Sequence, residues 1–565
     1  MEYLDRYHFW CENAPLTPEE KQTLLALGDD AIKGAFGAEL QFGTAGIRGI
    51  MGQGTNCLND FTVRRTAQGL AAWLAATELP RKCAIGYDSR HNSQRYAHIC
   101  AAALADRGVH VYVYHELAPT PMLSFAVRQL GCGCGIVVSA SHNAGIYNGI
   151  KCYGPDGCQM TDEPAAIVYK EISNIAYFVS GKHSFEEHLA QGNVEFIAQE
   201  LWERYYRTVL AERVTTQPAN HLNLLYTPLC GTGNKPVRQV LGRIGVNVDV
   251  VRVQELPDGD FKTCEYPNPE TDAALNESYK IARDTHPDLI LGTDPDCDRV
   301  AVAVPTEDGF RKLSGNELGC LLLDYILGEM KKNGTLPDHP VAVRSIVSTP
   351  LADKVAAQYG VKMKAVLTGF KYIGGEILAL EEKGEEHRFV FGFEESCGYL
   401  KGTYARDKDA VVASMLTCDL AAKLKREGMN LAQKMDALYE KLGYHEAKVV
   451  SLELKGPDAM ALSAKFMSDF RAEIPTMLCG VAVTECTDYA SRIAKDLTTG
   501  EERPVTLPKS NVVALTLGEK ASVIVRPSGT EPKVKLYLTA VDRSKEKALC
   551  LLAQLETAMS AYLPK

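Results

Sequence analysis

No stretch of this 565-residue chain approaches the roughly 18 consecutive apolar residues that a membrane-spanning helix needs. The first residues, Met1-Glu2-Tyr3-Leu4-Asp5-Arg6-Tyr7-His8, lack the basic segment and apolar run of a secretory leader, so secretion is not expected. The 17 cysteines contain no C-x-x-C pair, which removes the commonest zinc spacing. Cys83, Cys100 and Cys320 sit inside apolar stretches, as reduced and inert thiols do, so the expected location is the cytoplasm. Positive charge is also short. Lys and Arg number 61 against 71 Asp and Glu, for a net charge of −10. Such a field repels nucleic acid and acidic membranes, and neither is expected as a partner. An anionic substrate would need basic residues gathered locally. Two glycine-rich loops fail as nucleotide motifs. No Gly-Lys-Ser/Thr follows Gly43-Thr44-Ala45-Gly46-Ile47-Arg48-Gly49, and Pro236 replaces the third glycine after Gly231 and Gly233.

What is present is ordinary globular composition, with 46% hydrophobic and 23% charged residues. The length implies about three to five domains. Strand and helix patterns alternate from Phe61 to the strand near Gly135, restart at Leu222–Tyr226, and restart again with a helix near Glu317–Lys331. Repeated alternation predicts parallel sheets with crossover helices. The last 120 or so residues differ. They are rich in strands (Val449–Leu454, Val512–Leu517, Val523–Arg526, Val534–Leu538) and end in a helix over Lys545–Tyr562.

Four loops carry chemistry-bearing residues. The apolar run Ile136-Val137-Val138 ends in Ser139-Ala140-Ser141-His142-Asn143, with Lys151 shortly after. A buried strand feeding a polar loop at its carboxyl end is where open α/β sheets bind ligands. A hydroxyl, an imidazole, an amide and an ammonium fit a phosphoserine site; taken alone, the segment equally fits an inert turn. Asp294-Pro295-Asp296-Cys297-Asp298-Arg299 follows another strand. Three alternating carboxylates suit one hard cation such as Mg²⁺. An EF-hand is excluded, because Arg299 stands at the turn glycine and Pro305 at the bidentate glutamate. A solvated acidic turn is the alternative, disfavoured because uncompensated carboxylates repel. Glu394 and Ser396 alternate in Gly392-Phe393-Glu394-Glu395-Ser396-Cys397-Gly398, a spacing suited to vicinal hydroxyls, although the segment taken singly fits a solvated polar loop better. Finally, Arg526-Pro527-Ser528-Gly529-Thr530 is a turn between two strands; its guanidinium, two hydroxyls and exposed backbone N–H groups suit a phosphate cradle, against a plain Pro/Gly/Ser turn.

Together and in this order, these motifs resemble the α-D-phosphohexomutase family, which includes phosphoglucomutase and phosphomannomutase. The strings 43–52, 226–233 and 266–270 are most similar to the long branch holding phosphoglucomutases and phosphopentomutases. The resemblance implies an α/β fold: three similar mixed α/β domains plus a C-terminal α+β domain around a central active-site cleft. The expected divisions are 1–212, 213–317, 318–440 and 441–565. It implies a phosphoserine at Ser141, with Arg48 and Lys151 neutralising its phosphate and His142 assisting proton transfer. Asp294, Asp296, Asp298 and the Ser141 phosphate would hold one Mg²⁺, with Arg299 beside them. Thr368, Gly369, Glu394 and Ser396 would read the sugar, and Lys408 would lie near its transferable hydroxyl. Arg526, Ser528, Gly529 and Thr530 would grip the phosphate that is not reacting. Ala144 stands where the family often has proline, and Cys397 where an aromatic is common.

The implied reaction interconverts a sugar 1-phosphate and 6-phosphate, glucose preferred, through a bisphosphate that also serves as primer. Phosphopentomutase and phosphomannomutase activity are the nearest alternatives. A metal-dependent sugar phosphatase and a non-catalytic phosphosugar-binding protein are more remote. A monomer and a homodimer fit equally.

Overall fold

The computed structural model describes residues 2–43, 46–454, 459–527 and 533–562. Ser528, Gly529 and Thr530, like Thr44 and Ala45, lie outside the described residues. Three α/β units follow one another, then a strand-rich unit. Each of the first three sheets is built on the same plan. In the first, strands Lys82–Tyr87, His110–Val113, Cys134–Val138 and Tyr147–Tyr153 lie in the spatial order second, first, third, fourth. Strands Asn223–Thr227, Asn247–Val250, Leu289–Thr293 and Val300–Thr306 repeat that order. So do Val341–Ser345, Lys362–Val366, Phe389–Glu394 and Gly398–Leu400.

In all three sheets the first three strands are parallel and the fourth returns antiparallel to the third. The sheets are therefore mixed rather than purely parallel. A third strand that ends in a hairpin presents its connecting loop at its own carboxyl end. Those three loops are residues 139–146, 294–299 and 395–397, and each holds a non-glycine residue at positive φ: Ser141 (52°), Cys297 (53°) and Cys397 (64°). Left-handed backbone is uncommon outside glycine and turns the chain sharply back on itself.

Local sequence accounts for the crossover helices. Asn59 caps the helix Asp60–Ala75 by accepting from the Phe61 and Thr62 amides. Ser314 and Glu317 form a capping box on Gly315–Asn333, which ends at the left-handed Gly334. The helix Ala410–Arg426 is apolar nearly all round and lies at the centre of the molecule, buried through most of its length.

One hydrophobic core runs through all three α/β units, joining residues such as Val137, Trp202, Leu291, Leu321 and Phe391. The last unit has its own. Its seven-stranded antiparallel sheet packs one face on the helix Lys545–Ser560, around Val523, Leu536 and Leu555. It meets the third unit through a small apolar seam of Val347 and Leu367 against Tyr489, Val512, Ile524 and Tyr537, and through the stacked rings of Tyr439 and Tyr444. Among the described residues no helix is long and apolar enough to cross a membrane.

Candidate active site

The three hairpin loops converge. The Ser141 hydroxyl, from the first sheet, donates to Oδ2 of Asp294, from the second, at 2.8 Å. It also lies 3.1 Å from Nδ1 of His142. Lys151, on the return strand of the first sheet, places Nζ 2.5 Å from Asp296 Oδ2 and 3.4 Å from Asp298 Oδ2. Lys408 reaches the same Asp298 oxygen at 3.2 Å from the third unit. The second and third loops are stitched directly: the Val300 amide donates to the Cys397 carbonyl at 3.0 Å.

Asp294, Asp296 and Asp298 are buried, and one oxygen of each lies within 4.8 Å of the others. Asp294 has both oxygens engaged. Oδ1 accepts from the Asp298 and Arg299 amides, and Oδ2 accepts from Ser141. Oδ1 of Asp296 and Oδ1 of Asp298 are buried without a hydrogen-bond partner. Buried carboxylate oxygens left over in an all-oxygen set fit a hard divalent cation. Burial, then the charges of Asp298 and Asp296, push the Asp294 carboxyl well above its ordinary range. Burial also opposes the Asp296 charge, but Lys151 outweighs it and holds that carboxyl well below the usual range.

Burial, then the charges of Arg299 and Arg48, push the His142 imidazole well below its ordinary value. The lowered pKa favours the neutral imidazole. Arg48 lies on the strand antiparallel to the Lys151 strand, and its guanidinium donates to Asn143 Oδ1 at 3.4 Å. Arg299 is held by Glu270 and donates to the Ser396 carbonyl at 3.1 Å. Burial works against the Lys408 ammonium, yet Asp298 and Asp407 raise its pKa beyond the ordinary lysine value.

Beside these groups opens a cleft of about 870 Å³, walled by all four units. Glu394, Ser396 and Lys408 face it, and the Glu394 Oε1 accepts from the Gly369 amide at 2.7 Å. The Thr368 hydroxyl lines the same cleft, buried and without a partner. Arg526 stands on the wall contributed by the last unit. Glu394 ends a strand and Ser396 sits in the turn after it, so their shared orientation comes from the hairpin rather than from strand alternation. Gly398 follows because a Cβ there would lie 2.2 Å from Cδ of Lys408.

Sequence models of the phosphoglucomutase/phosphomannomutase domains match in chain order: α/β/α domain I over residues 39–178, domain II over 203–309, domain III over 314–442, and the C-terminal domain over 493–551. The chain belongs to this family. It is a mutase, an isomerase by reaction class. A phosphoglucomutase from Staphylococcus epidermidis is 37% identical over 502 residues, covering 88% of this chain and 90% of its own. One from Staphylococcus haemolyticus is 34% identical over 506 residues, covering 89% and 91%. Solved structures share the fold. A phosphoglucomutase/phosphomannomutase family protein from Burkholderia thailandensis superposes with a TM-score of 0.67 at 17% identity, covering 92% of this mutase and 97% of that chain. The open form of parafusin from Paramecium does so with 0.65 at 18%, covering 93% and 95%.

Some groups at this candidate site carry no obvious signal in sequence. Thr120 donates its hydroxyl to Asp296 Oδ2 at 3.0 Å from a helix in the first unit. Asp407, which accepts from Tyr153 at 2.8 Å, fixes Lys408 from behind. Glu270 lies in a string noted for its resemblance, with no role attached. Asp88 and Arg90 follow the strand Lys82–Tyr87, and the rule that marked the other loops would have marked them also.

Proposed function

We propose that this mutase interconverts a hexose 1-phosphate and 6-phosphate, glucose preferred, through phospho-Ser141 and a bisphosphate intermediate. The observation that carries the reading is the 2.8 Å contact from the Ser141 hydroxyl to Asp294, with Lys151 and Lys408 on the two adjoining carboxylates. A hydroxyl that only closed a turn would have no need of two lysines and three buried carboxylates. Relatives named phosphoglucomutase, 34–37% identical over most of the chain, support the hexose side. The divisions at 212, 317 and 440 belong to the same reading.

Asp294, Asp296 and Asp298, with an oxygen of the Ser141 phosphate, would hold Mg²⁺, which polarises the transferring phosphoryl group when bound. Lys151 and Arg48 would neutralise phosphate charge in flight; phosphoryl transfer needs positioning and electrostatics above all. Arg526 and the 528–530 loop would hold the substrate's own phosphate. Thr368, Gly369, Glu394 and Ser396 would pair with ring hydroxyls, and Arg299 would lie beside the substrate. His142 would relay the proton of the attacking sugar hydroxyl to Ser141 Oγ as the new O–P bond forms and the Oγ–P bond breaks. The bisphosphate then turns about and returns its other phosphate to Ser141. A cleft of about 870 Å³ would leave room for both orientations.

A panel of sugar 1-phosphates, assayed with Mg²⁺ and a bisphosphate primer, tests this. Isomerised product without stoichiometric inorganic phosphate is expected; inorganic phosphate as the main product would replace the mutase reading with a phosphatase.

A further inference from the structure

Beneath the Ser141 loop lies one buried guanidinium. Arg90 donates through Nη1 to the carbonyls of Ala144 (2.8 Å) and Tyr147 (3.0 Å). Through Nη2 it donates to the carbonyls of Ser141 (2.6 Å) and Asn143. Three carbonyls of the loop and that of Tyr147, the first residue of the return strand, thus point inward at a single side chain 3% exposed. Its Nε lies 3.3 Å from Asp88 Oδ2, and Asp88 Oδ1 accepts from the Arg90 amide and the Ser93 hydroxyl. From the second unit, the Phe261 ring covers the guanidinium at 5.0 Å.

A loop that directs its carbonyls inward directs other groups outward. Here the outward group is the Ser141 hydroxyl, on a residue at φ 52°. Unpaired, four inward carbonyls would relax toward water and take Ser141 with them. Lysine has the charge but not the planar fork that serves four acceptors at once. Ala144 brings no ring that would stiffen this loop. Arg90 supplies the constraint instead.

We propose that Arg90, oriented by Asp88, is a positioning residue that fixes the phosphorylated Ser141 loop and so decides whether its phosphoryl group goes to sugar or to water. The proposal rests on the reading of Ser141 as the phosphoacceptor. In the transfer to water, a water oxygen bonds to phosphorus, the Ser141 Oγ–P bond breaks, and Oγ regains a proton as inorganic phosphate leaves. A loosened loop admits that water and misaligns the sugar hydroxyl.

The test loads wild type, Arg90→Lys and Asp88→Asn with glucose 1,6-bisphosphate. Loss of the Ser141 phosphate is followed by intact-protein mass spectrometry and released phosphate, beside kcat, KM and circular dichroism. For folded Arg90→Lys we expect kcat lower by about 100-fold with KM within about twofold, because misplacement costs alignment rather than binding. Phosphoserine hydrolysis should rise by about tenfold as water is admitted. Should Arg90→Lys fail to fold, Asp88→Asn decides, with the same signature at about tenfold in kcat. A folded variant with unchanged kcat and unchanged partition to water overturns the proposal, as does a raised KM with unaltered hydrolysis. Wild type that carries no phosphate on Ser141 overturns the phosphoserine reading and this one with it; a phosphorylated Ser141 with unchanged partition overturns this one alone.

Discussion

The Ser141 hydroxyl and the Asp294 carboxylate are 153 residues apart in sequence and 2.8 Å apart in space. Each stands at the head of a third strand in its own sheet, and the repeated sheet plan brings those heads together. Ser141→Ala removes the hydroxyl's contacts to Asp294 and His142, at about 1–2 kcal/mol of stability, and should leave the fold intact. Mutase turnover should vanish, because no acceptor remains for the returning phosphate. Normal isomerisation by this variant would refute the nucleophile assignment.

Asp296→Asn keeps the shape of the site and removes one charge. It also leaves Lys151 short of its 2.5 Å partner. Mg²⁺ affinity should fall, with kcat lower by about 100-fold and partly restored at high Mg²⁺. Full wild-type activity in excess chelator would exclude the metal reading.

Gly398→Ala is informative because the new methyl meets the Lys408 side chain, at 2.2 Å from Cδ, and not rigid backbone. The lysine can swing aside, so the melting temperature should change little. Its ammonium would then leave Asp298, and kcat should drop by about tenfold or more. A variant that melts normally and turns over normally would show that Lys408 does not need this position.

Glu394→Gln retains the oxygen that accepts from the Gly369 amide and changes the other. If that second oxygen reads a ring hydroxyl, kcat/KM for glucose 1-phosphate should fall by about tenfold, equivalent to ~1.4 kcal/mol. Ribose 1-phosphate preferred over glucose 1-phosphate by more than about tenfold in wild type would move the assignment to a phosphopentomutase.

His445, 4% exposed, follows Gly443 where the helix Leu431–Leu442 gives way to the first strand of the last unit. Burial pushes its imidazole down to about 4, against the partial support of the Gly443 carbonyl. The unfolded chain therefore binds the proton first as pH falls. Stability should decline between about pH 6.5 and 4 by up to roughly 3 kcal/mol, and change no further from this group below that. In His445→Gln, denaturant titrations across that window should show a correspondingly flatter profile; an unaltered slope would mean the imidazole is not held neutral.

Much of the local architecture could be read from the chain. Ile136-Val137-Val138 ends a strand, Asp294 to Arg299 form the loop after one, and Asn59, Ser314 and Gly334 cap helices as their chemistry dictates. Runs and caps are encoded within a dozen residues, so one-dimensional patterns expose them. The helices Tyr3–Asn13, Pro18–Leu25 and Asp29–Phe36 were not anticipated, although Thr17 and Glu20 form a legible capping box. Lys151 stands out in sequence for its charge, but the strand Tyr147–Tyr153 that carries it, the return of a hairpin, does not.

By itself, the sequence determined which loops hold hydroxyl, imidazole, carboxylate and basic groups and the order in which those loops follow one another. Only the tertiary structure decided that the third strand of each sheet turns back, that Lys151 and Lys408 share Asp298, and that Arg90 gathers four carbonyls under Ser141. The reason is physical. Periodicity records which face of an element is buried, whereas strand direction and the partner of a buried charge depend on groups far away in sequence. Those partners are set by the need to satisfy every polar atom once water has been excluded.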